Sequence, residues 1–421
     1  MDFKADRYRF KINSGSLSDQ TSKRMKIGLI HYTSWPVVGG VEAVLRQHAT
    51  LMARAGHAVT IVCGDGKRFD DAIPTLVLPE LTLKQELVSL AQQEITRGYP
   101  GAAFFRAVDS LKKRLQPLSA EWDCMIAHNL MTMPFHLAAT QVLSELAEEG
   151  RRVLAWTHDL AANNPDYSLP RNRTFDMLRE RQPGIEYIMI SETRAQEFRN
   201  LTGTSADAVI PNGLDLSMTL ELTTEVSGLL AGVSPQEAIL LYPTRILQRK
   251  NLGLALQILA ALLEIDFPAW LFITGAANGY TPGAEAHFVG LKQQASELGV
   301  YDRVRWVNEH FFVDDAQLRS LYLVSDALLF PTKQEGFGLP VLEAAAFRLP
   351  IFCSDIEPLR SNLPPGSIAF DLRSSPRNIS LAIAESLKRD RGFVSRKLIL
   401  QRHAARDLYR TKIEPLLQRK T

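Results

Sequence analysis

Cysteine is scarce in this chain of 421 residues. There are three, Cys63, Cys124 and Cys353, far apart and in no Cys-x-x-Cys or metal-ligand spacing. A disulfide scaffold is excluded, and a reduced, cytoplasmic compartment is the simple reading. Charge of one sign is missing too: 48 Lys and Arg stand against 46 Asp and Glu, which leaves no electrostatic footprint for nucleic acid. No apolar run is long enough to span a bilayer. The best candidate, Leu252 to Thr274, is interrupted by Glu264, Asp266 and Pro268 and reads as a helix followed by a strand. The first residues lack the apolar core of a signal peptide and carry Ser14, Gly15 and Ser16, so 1–24 reads as a flexible extension. Its cluster Lys4, Arg7, Arg9 and Lys11 is either solvated or in contact with an anionic membrane. There is no His-Glu-x-x-His, and His128 with His136 finds no third ligand nearby, so a zinc site is not expected. The pairs Asp70-Asp71 and Asp314-Asp315 fit turns.

What is present is the alternation of an α/β protein. Ile27 to Tyr32 is an apolar run, Gly39-Gly40 punctuates a loop, and Val41, Val44, Leu45, Leu51, Met52 and Ala55 recur at helical spacing. Gly56 ends that helix and Ala58 to Cys63 is the next strand. Apolar runs follow at Cys124 to Ala127, Val153 to Trp156, Tyr187 to Ile190 and Ala208 to Ile210. After Pro211-Asn212-Gly213 the pattern restarts, with strands expected at Ala238 to Tyr242, Trp270 to Thr274, Arg303 to Val307, Ala327 to Phe330 and Pro350 to Cys353. Two doubly wound parallel-sheet domains are implied, 25–215 and 216–400, with a ligand cleft where strand ends face each other. The stretch Val394 to Leu417 is helical in pattern.

Three segments carry chemistry. The run Glu335-Gly336-Phe337-Gly338-Leu339-Pro340-Val341-Leu342-Glu343 lies between a strand and a helix. Gly336 and Gly338 let backbone amides approach a ligand, and Pro340 suits a first helical turn whose unpaired N–H groups favour a diphosphate. Glu335 is placed to accept from sugar hydroxyls, and Glu343, read as lying in the first turn, from a ribose. Arg245 and Lys250, in Pro243 to Asn251, flank another strand end and helix start and suit the negative charge of a departing diphosphate; Arg249 is the lesser candidate. His158, in Ala155-Trp156-Thr157-His158-Asp159, ends a strand of the first domain.

The segment EGFGLPVLEA, with two glutamates separated by seven residues, resembles the signature of retaining glycosyltransferases of the GT-B fold, and its wording is similar to family 4. Resemblance runs from Met25 onward and includes Gly39-Gly40-Val41-Glu42, Val209 to Gly213 and Leu321-Tyr322 to Pro331. It implies two Rossmann-like domains and a last helix, 401–421, crossing back to the first. It implies His158, Arg245, Lys250 and Glu335 as catalytic residues, and Gly39, Gly40, Gly336, Phe337, Gly338, Leu339 and Glu343 as donor-binding. Asp159 either fixes the tautomer of His158 or touches the acceptor. The co-substrate is expected to be a nucleotide sugar, GDP-mannose before UDP-glucose, and the acceptor a small molecule, saccharide or lipid-linked sugar. With no Asp-x-Asp pair, no metal and no other cofactor is expected. The amphipathic stretch Phe104 to Leu118, with Arg106, Lys112, Lys113 and Arg114, is either a plain surface helix or a peripheral membrane contact. An epimerase, a phosphorylase or a non-catalytic binding protein on the same fold is the competing reading; the first two would need catalytic carboxylates or a pyridoxal-binding lysine that are not recognised here.

Overall fold

The computed structural model describes residues 23–275 and 283–419, so the basic cluster at Lys4 to Lys11 lies outside the described residues. The chain forms two compact units. One runs to Gly213 and resumes at Ala405; the other is Leu214–Ala404.

The first unit holds a seven-stranded parallel sheet: β1 (Lys26–Thr33), β2 (Ala58–Asp65), β3 (Thr75–Val77), β4 (Cys124–His128), β5 (Val153–Thr157), β6 (Ile185–Met189) and β7 (Ala208–Val209), in the order β3-β2-β1-β4-β5-β6-β7. The central strands are continuous apolar runs because both faces are covered by helices. Ile27, Leu29 and Ile30 are wholly buried. The helix Gly40–Arg54 follows β1 and ends where Gly56 adopts φ +95, as the helical spacing and terminal glycine required. β3 has no counterpart in the sequence reading, since its three residues are half-buried or exposed and leave no apolar run.

The second unit holds six parallel strands: β8 (Ala238–Tyr242), β9 (Ala269–Ile273), β10 (Val304–Trp306), β11 (Ala327–Phe330), β12 (Ile351–Ser354) and β13 (Ile368–Phe370), in the order β10-β9-β8-β11-β12-β13. The helix Leu252–Glu264 buries nine of its residues, Leu252 and Leu256 completely. At about 1.5–3 kcal/mol per buried aliphatic side chain, faces like this one hold the layers together.

The stretch expected to be one helix from Val394 to Leu417 is broken. A helix Arg391–His403 stops at Ala404, whose ψ of 116 is extended, and shorter helical pieces resume at Ala405–Leu408. The break is where the chain leaves the second unit. Ala404 forms an isolated parallel bridge with Leu214, and Leu214 N–H donates to the His403 carbonyl at 2.6 Å. The terminal pieces then pack in the first unit, with Tyr409, Ile413, Leu416 and Leu417 in one cluster with Ile27 and Leu29. Arg152 donates to the carbonyls of Leu416 and Leu417, and His57 Nε2 meets Glu414 at 2.8 Å. So the return to the first sheet is made by short helices and not by one long one.

The stretch Phe104 to Leu118 lies in the helix Ala102–Glu121. Its apolar face, with Phe104, Leu111 and Leu115, is spent on the core. Lys112 meets Glu145 and Glu149, Lys113 meets Asp109, and Arg114 lies 4.0 Å from Glu80, the arrangement of an ordinary surface helix. Among the described residues no helix is long and apolar enough to cross a membrane.

Candidate active site

Each sheet has one point where the strand order reverses, and ligands of such sheets bind outside the carboxyl ends at that point. In the second unit it lies between β8 and β11. The loop after β8 carries Arg245 and Lys250; the loop after β11 carries Glu335. The two loops are fastened together. Lys333 N–H donates to the Arg249 carbonyl at 2.8 Å, Thr332 Oγ1 donates to the same carbonyl at 3.3 Å, and the Arg249 guanidinium donates to the Gln334 carbonyl at 3.0 Å. Arg249 is thereby a tether between the two loops. Lys250 Nζ forms an ion pair with Glu335 and lies 5.4 Å from the Phe330 ring centroid; both charged side chains are about nine-tenths buried. Arg245 is exposed, and its side chain makes no hydrogen bond or ion pair among the described residues, although its carbonyl accepts from Thr244 Oγ1 at 3.4 Å.

Gly338 precedes the helix Leu339–Ala346 with φ +89, a conformation that favours glycine, and Pro340 stands in the first turn. Gly336 has open space where a side chain would project. Phe337 and Leu339 are more than half exposed. Glu343 differs from its expected place: it is the fifth residue of the helix, one turn past the N-terminus, and no acidic residue lies in the first turn. Its carboxylate accepts from the Tyr322 hydroxyl at 2.6 Å, and burial, together with that hydrogen bond and charge, pushes the phenol far above its usual range. Tyr322 therefore stays a donor. Gly275, two residues past the end of β9, is a further residue that the sequence reading missed. A Cβ there would lie 1.8 Å from the Thr244 carbonyl oxygen, so only glycine lets this strand end pass the Arg245 loop.

In the first unit the reversal lies between β1 and β4. Gly39 and Gly40 are not both loop: Gly39 caps the helix and Gly40 is its first residue. The carboxylate of Glu42 folds back beside Gly39, accepts from Thr33 Oγ1, and stands 3.9 Å from His31 Nε2. His158 follows β5. Its ring Nε2 meets His128 Nδ1 at 3.2 Å, and its backbone N–H donates to Asn129 Oδ1 at 3.0 Å. Asn129 itself has φ +56, which turns its side chain back onto the β5 end. His31 Nδ1 meets the His128 carbonyl at 2.7 Å, and His48 packs 4.6 Å from the Trp156 ring centroid. Burial keeps all four imidazoles neutral, lowering His48 to about 3 and His158 to about 4, with His31 and His128 lowered as well.

Asp159 does not fix His158. Its carboxylate accepts from Leu160 N–H and the Asn164 amide, both at 2.9 Å, and pairs with Arg194 at 3.1 Å. His136, outside this cluster, caps the helix Leu137–Glu148 by accepting from Ala139 N–H. Asp314 likewise caps its helix in a reciprocal capping box with Gln317. Among the described residues no three His, Cys, Asp or Glu side chains form a metal-ligand group. A cavity of about 630 Å³ opens in the first unit and is lined by Val88, Gln92, Phe135, Tyr167 and Phe175, among others, but by none of the residues above.

Comparison with known proteins places the chain in a family. The model of the family described as Glycosyltransferase Family 4 matches residues 38–218, and that of Glycosyl transferases group 1 matches residues 231–392. The chain is 22% identical to the mannosylglucosylglycerate synthase of Thermotoga maritima over 94% of each chain. It is 25% identical to a D-inositol 3-phosphate glycosyltransferase of Actinosynnema mirum over 76% of each. The solved structure of WaaG, a glycosyltransferase involved in lipopolysaccharide biosynthesis, is similar at 16% identity and a TM-score of 0.33, covering 93% of this chain and 97% of that one. Two units, each matched in order by its own family model, identify the chain as an enzyme of the family 4 glycosyltransferases.

Proposed function

We propose that the enzyme transfers a hexose, mannose before glucose, from a nucleoside-diphosphate sugar to a hydroxyl-bearing acceptor, with retention of anomeric configuration and without a metal. The observation that carries this reading is the pairing of Lys250 with Glu335 at the reversal point of the second sheet, beside a helix start that Gly338 and Pro340 leave open. The name of the relative mannosylglucosylglycerate synthase contains both hexoses and supports a hexose as the transferred sugar.

In this reading Arg245, Lys250 and the helix N-terminus take the diphosphate, whose charge grows as the sugar leaves. Glu335 accepts from sugar hydroxyls and Glu343 from the ribose. Gly39, Gly40, Gly336, Phe337 and Leu339 complete the donor contacts, and His158 orients the reacting sugar. The acceptor oxygen attacks the anomeric carbon on the face that the phosphate leaves. The carbon–phosphate-oxygen bond breaks, the new glycosidic bond forms, and the acceptor proton passes to the departing phosphate oxygen. No side chain becomes covalently attached.

Thermal-shift measurements against GDP-mannose, UDP-glucose and the free nucleotides, with and without EDTA, test the donor. Binding to the folded state raises Tm by mass action. A shift with GDP-mannose that EDTA leaves unchanged is expected, and a shift that EDTA abolishes would overturn the metal-free reading. NMR of the product's anomeric proton tests the stereochemistry, and an inverted linkage would overturn retention.

A further inference from the structure

We propose that His128 is a positioning residue for His158: it donates its Nδ1 proton to Nε2 of His158 and so presents His158 to the reaction as an Nδ1–H donor. This rests on the reading of His158 as a residue of the transfer site.

The argument is one of counting protons. The two facing nitrogens, His128 Nδ1 and His158 Nε2, stand 3.2 Å apart, so one carries a hydrogen and the other a lone pair. The opposite nitrogen of His128, Nε2, is buried and has no hydrogen-bond partner among the described residues. If His158 were the donor, neutral His128 would carry its proton on Nε2, and that N–H would be buried with nothing to receive it. If His128 is the donor, Nε2 holds only a lone pair. An orphaned buried N–H is the rarer and costlier of the two faults. The proton therefore sits on His128 Nδ1, the lone pair of His158 Nε2 is engaged, and the proton of His158 is on Nδ1.

The surroundings leave this arrangement little room to change. His128 is fully buried. Its ring is flanked by Trp156 at 6.0 Å and His48 at 5.4 Å, and its carbonyl is held by His31. The next residue, Asn129, holds the backbone of both His158 and Asp159, each at 3.0 Å. Glu42 is the carboxylate of the cluster and stands by His31, not by His128. Burial and the neighbouring imidazoles oppose a second proton on either ring. The dipeptide His128-Asn129 thus fixes both the place of His158 and its tautomer.

The consequence is chemical. An Nδ1–H group whose other nitrogen is engaged gives a hydrogen bond to a sugar hydroxyl or phosphate oxygen, and it does not accept the acceptor's proton. That agrees with a mechanism in which the leaving phosphate oxygen takes that proton.

The test is a spectrum of the full chain. With histidine labelled with nitrogen-15, the nine imidazoles are observed at pH 7, and His158 is assigned from the signals lost in His158→Gln. The expected result is a protonated Nδ1 and an unprotonated Nε2 on His158. A protonated Nε2 there would overturn the proposal. His128→Asn keeps an amide N–H where Nδ1 stood and is expected to preserve the pattern, while His128→Leu removes the donor, so the Nε2 resonance of His158 is expected to lose its hydrogen-bond shift, and an unshifted Nε2 resonance in that variant would overturn the proposal. If neither variant folds, the spectrum of the unaltered chain still decides. Transfer activity is not read here: full activity in His158→Ala would sink the role of His158 and leave the tautomer assignment standing.

Discussion

The two sheets put their chemistry at the same topological point and fill it with opposite kinds of group. At the reversal of the second sheet the charged groups Lys250 and Glu335 are paired, Glu343 accepts from the neutral Tyr322 hydroxyl, and the Arg245 side chain stands exposed. At the reversal of the first sheet four imidazoles are held neutral by burial, with Glu42 to one side. A parallel sheet supplies a place where loops converge, and the residues on those loops decide what that place does. Under the proposed function, ion pairing suits the receipt and release of a diphosphate, and neutral dipoles suit the orientation of hydroxyls.

The largest effect that would test this contrast is loss of the lysine. Lys250→Ala is expected to lower the transfer rate by about 10²–10³, the usual result of removing one donor to a developing negative charge. It also leaves Glu335 mostly buried without its partner, so Tm is expected to fall with it. The double variant Lys250→Met, Glu335→Gln removes both charges. It is expected to recover Tm without recovering transfer, and recovery of both would show the pair to be structural.

The neutral cluster makes a different prediction, about acid. His158 is lowered to about 4 and His48 to about 3, so in the unfolded chain each takes up its proton near pH 6.5 while the folded chain refuses it. The unfolded state thus binds more protons as pH falls from about 6.5 toward 4, and stability is lost across that window. Urea unfolding at pH 7.5 and at pH 4.5 measures the loss. Hydrogen exchange is expected to place the earliest opening in β1, β4 and β5. Earlier opening around β8 and β11 would mean that the charged site, and not the imidazole cluster, is the acid-labile one.

How far each site was legible in the sequence follows the same division. The strands β8, β9 and β11 were plain because each is a short apolar run buried on both faces, whereas β13, three residues with one exposed, left no run to read. The glutamate segment was legible because its turn, its helix start and its carboxylates lie within nine consecutive residues. The helical spacing of Val394 to Leu417 concealed the break at Ala404, because that break answers to a pairing with Leu214 far away in sequence. The imidazole cluster was hidden for the same reason. His31, His48 and His128 sit on three separate elements and His158 just past a fourth, and the spacing between them carries no pattern. Gly275 is a case of its own. Nothing beside it in the chain marks it, since the obstacle is the Thr244 carbonyl on the neighbouring loop. Gly275→Ala is expected to cost about 1–3 kcal/mol by overpacking, read from urea midpoints, and a neutral result would mean that the Arg245 loop gives way freely.

The smallest expected effect probes whether the ion-pair site is tuned as well as charged. Tyr322 is buried, its ring stacked on Phe347 with centroids 5.0 Å apart, and its hydroxyl is spent on Glu343. Tyr322→Phe keeps the ring and its packing and removes one hydrogen bond to a charged acceptor. Glu343 is only half-buried, so water replaces the lost donor and the net cost is about 1 kcal/mol. What changes is the freedom of the carboxylate, which no longer has one preferred orientation. If Glu343 holds the ribose of the donor, nucleotide Kd is expected to rise by about fivefold, the equivalent of that energy, while the rate at saturating donor stays unchanged. Titration calorimetry with the nucleotide selected by thermal shift measures the Kd. An unchanged Kd would mean that Tyr322 braces the helix Leu339–Ala346 and has no part in aiming Glu343. A loss as large as that of Lys250→Ala would mean that Glu343 bears on the chemical step itself, and the division between a holding pair and a reacting pair within the second unit would have to be redrawn.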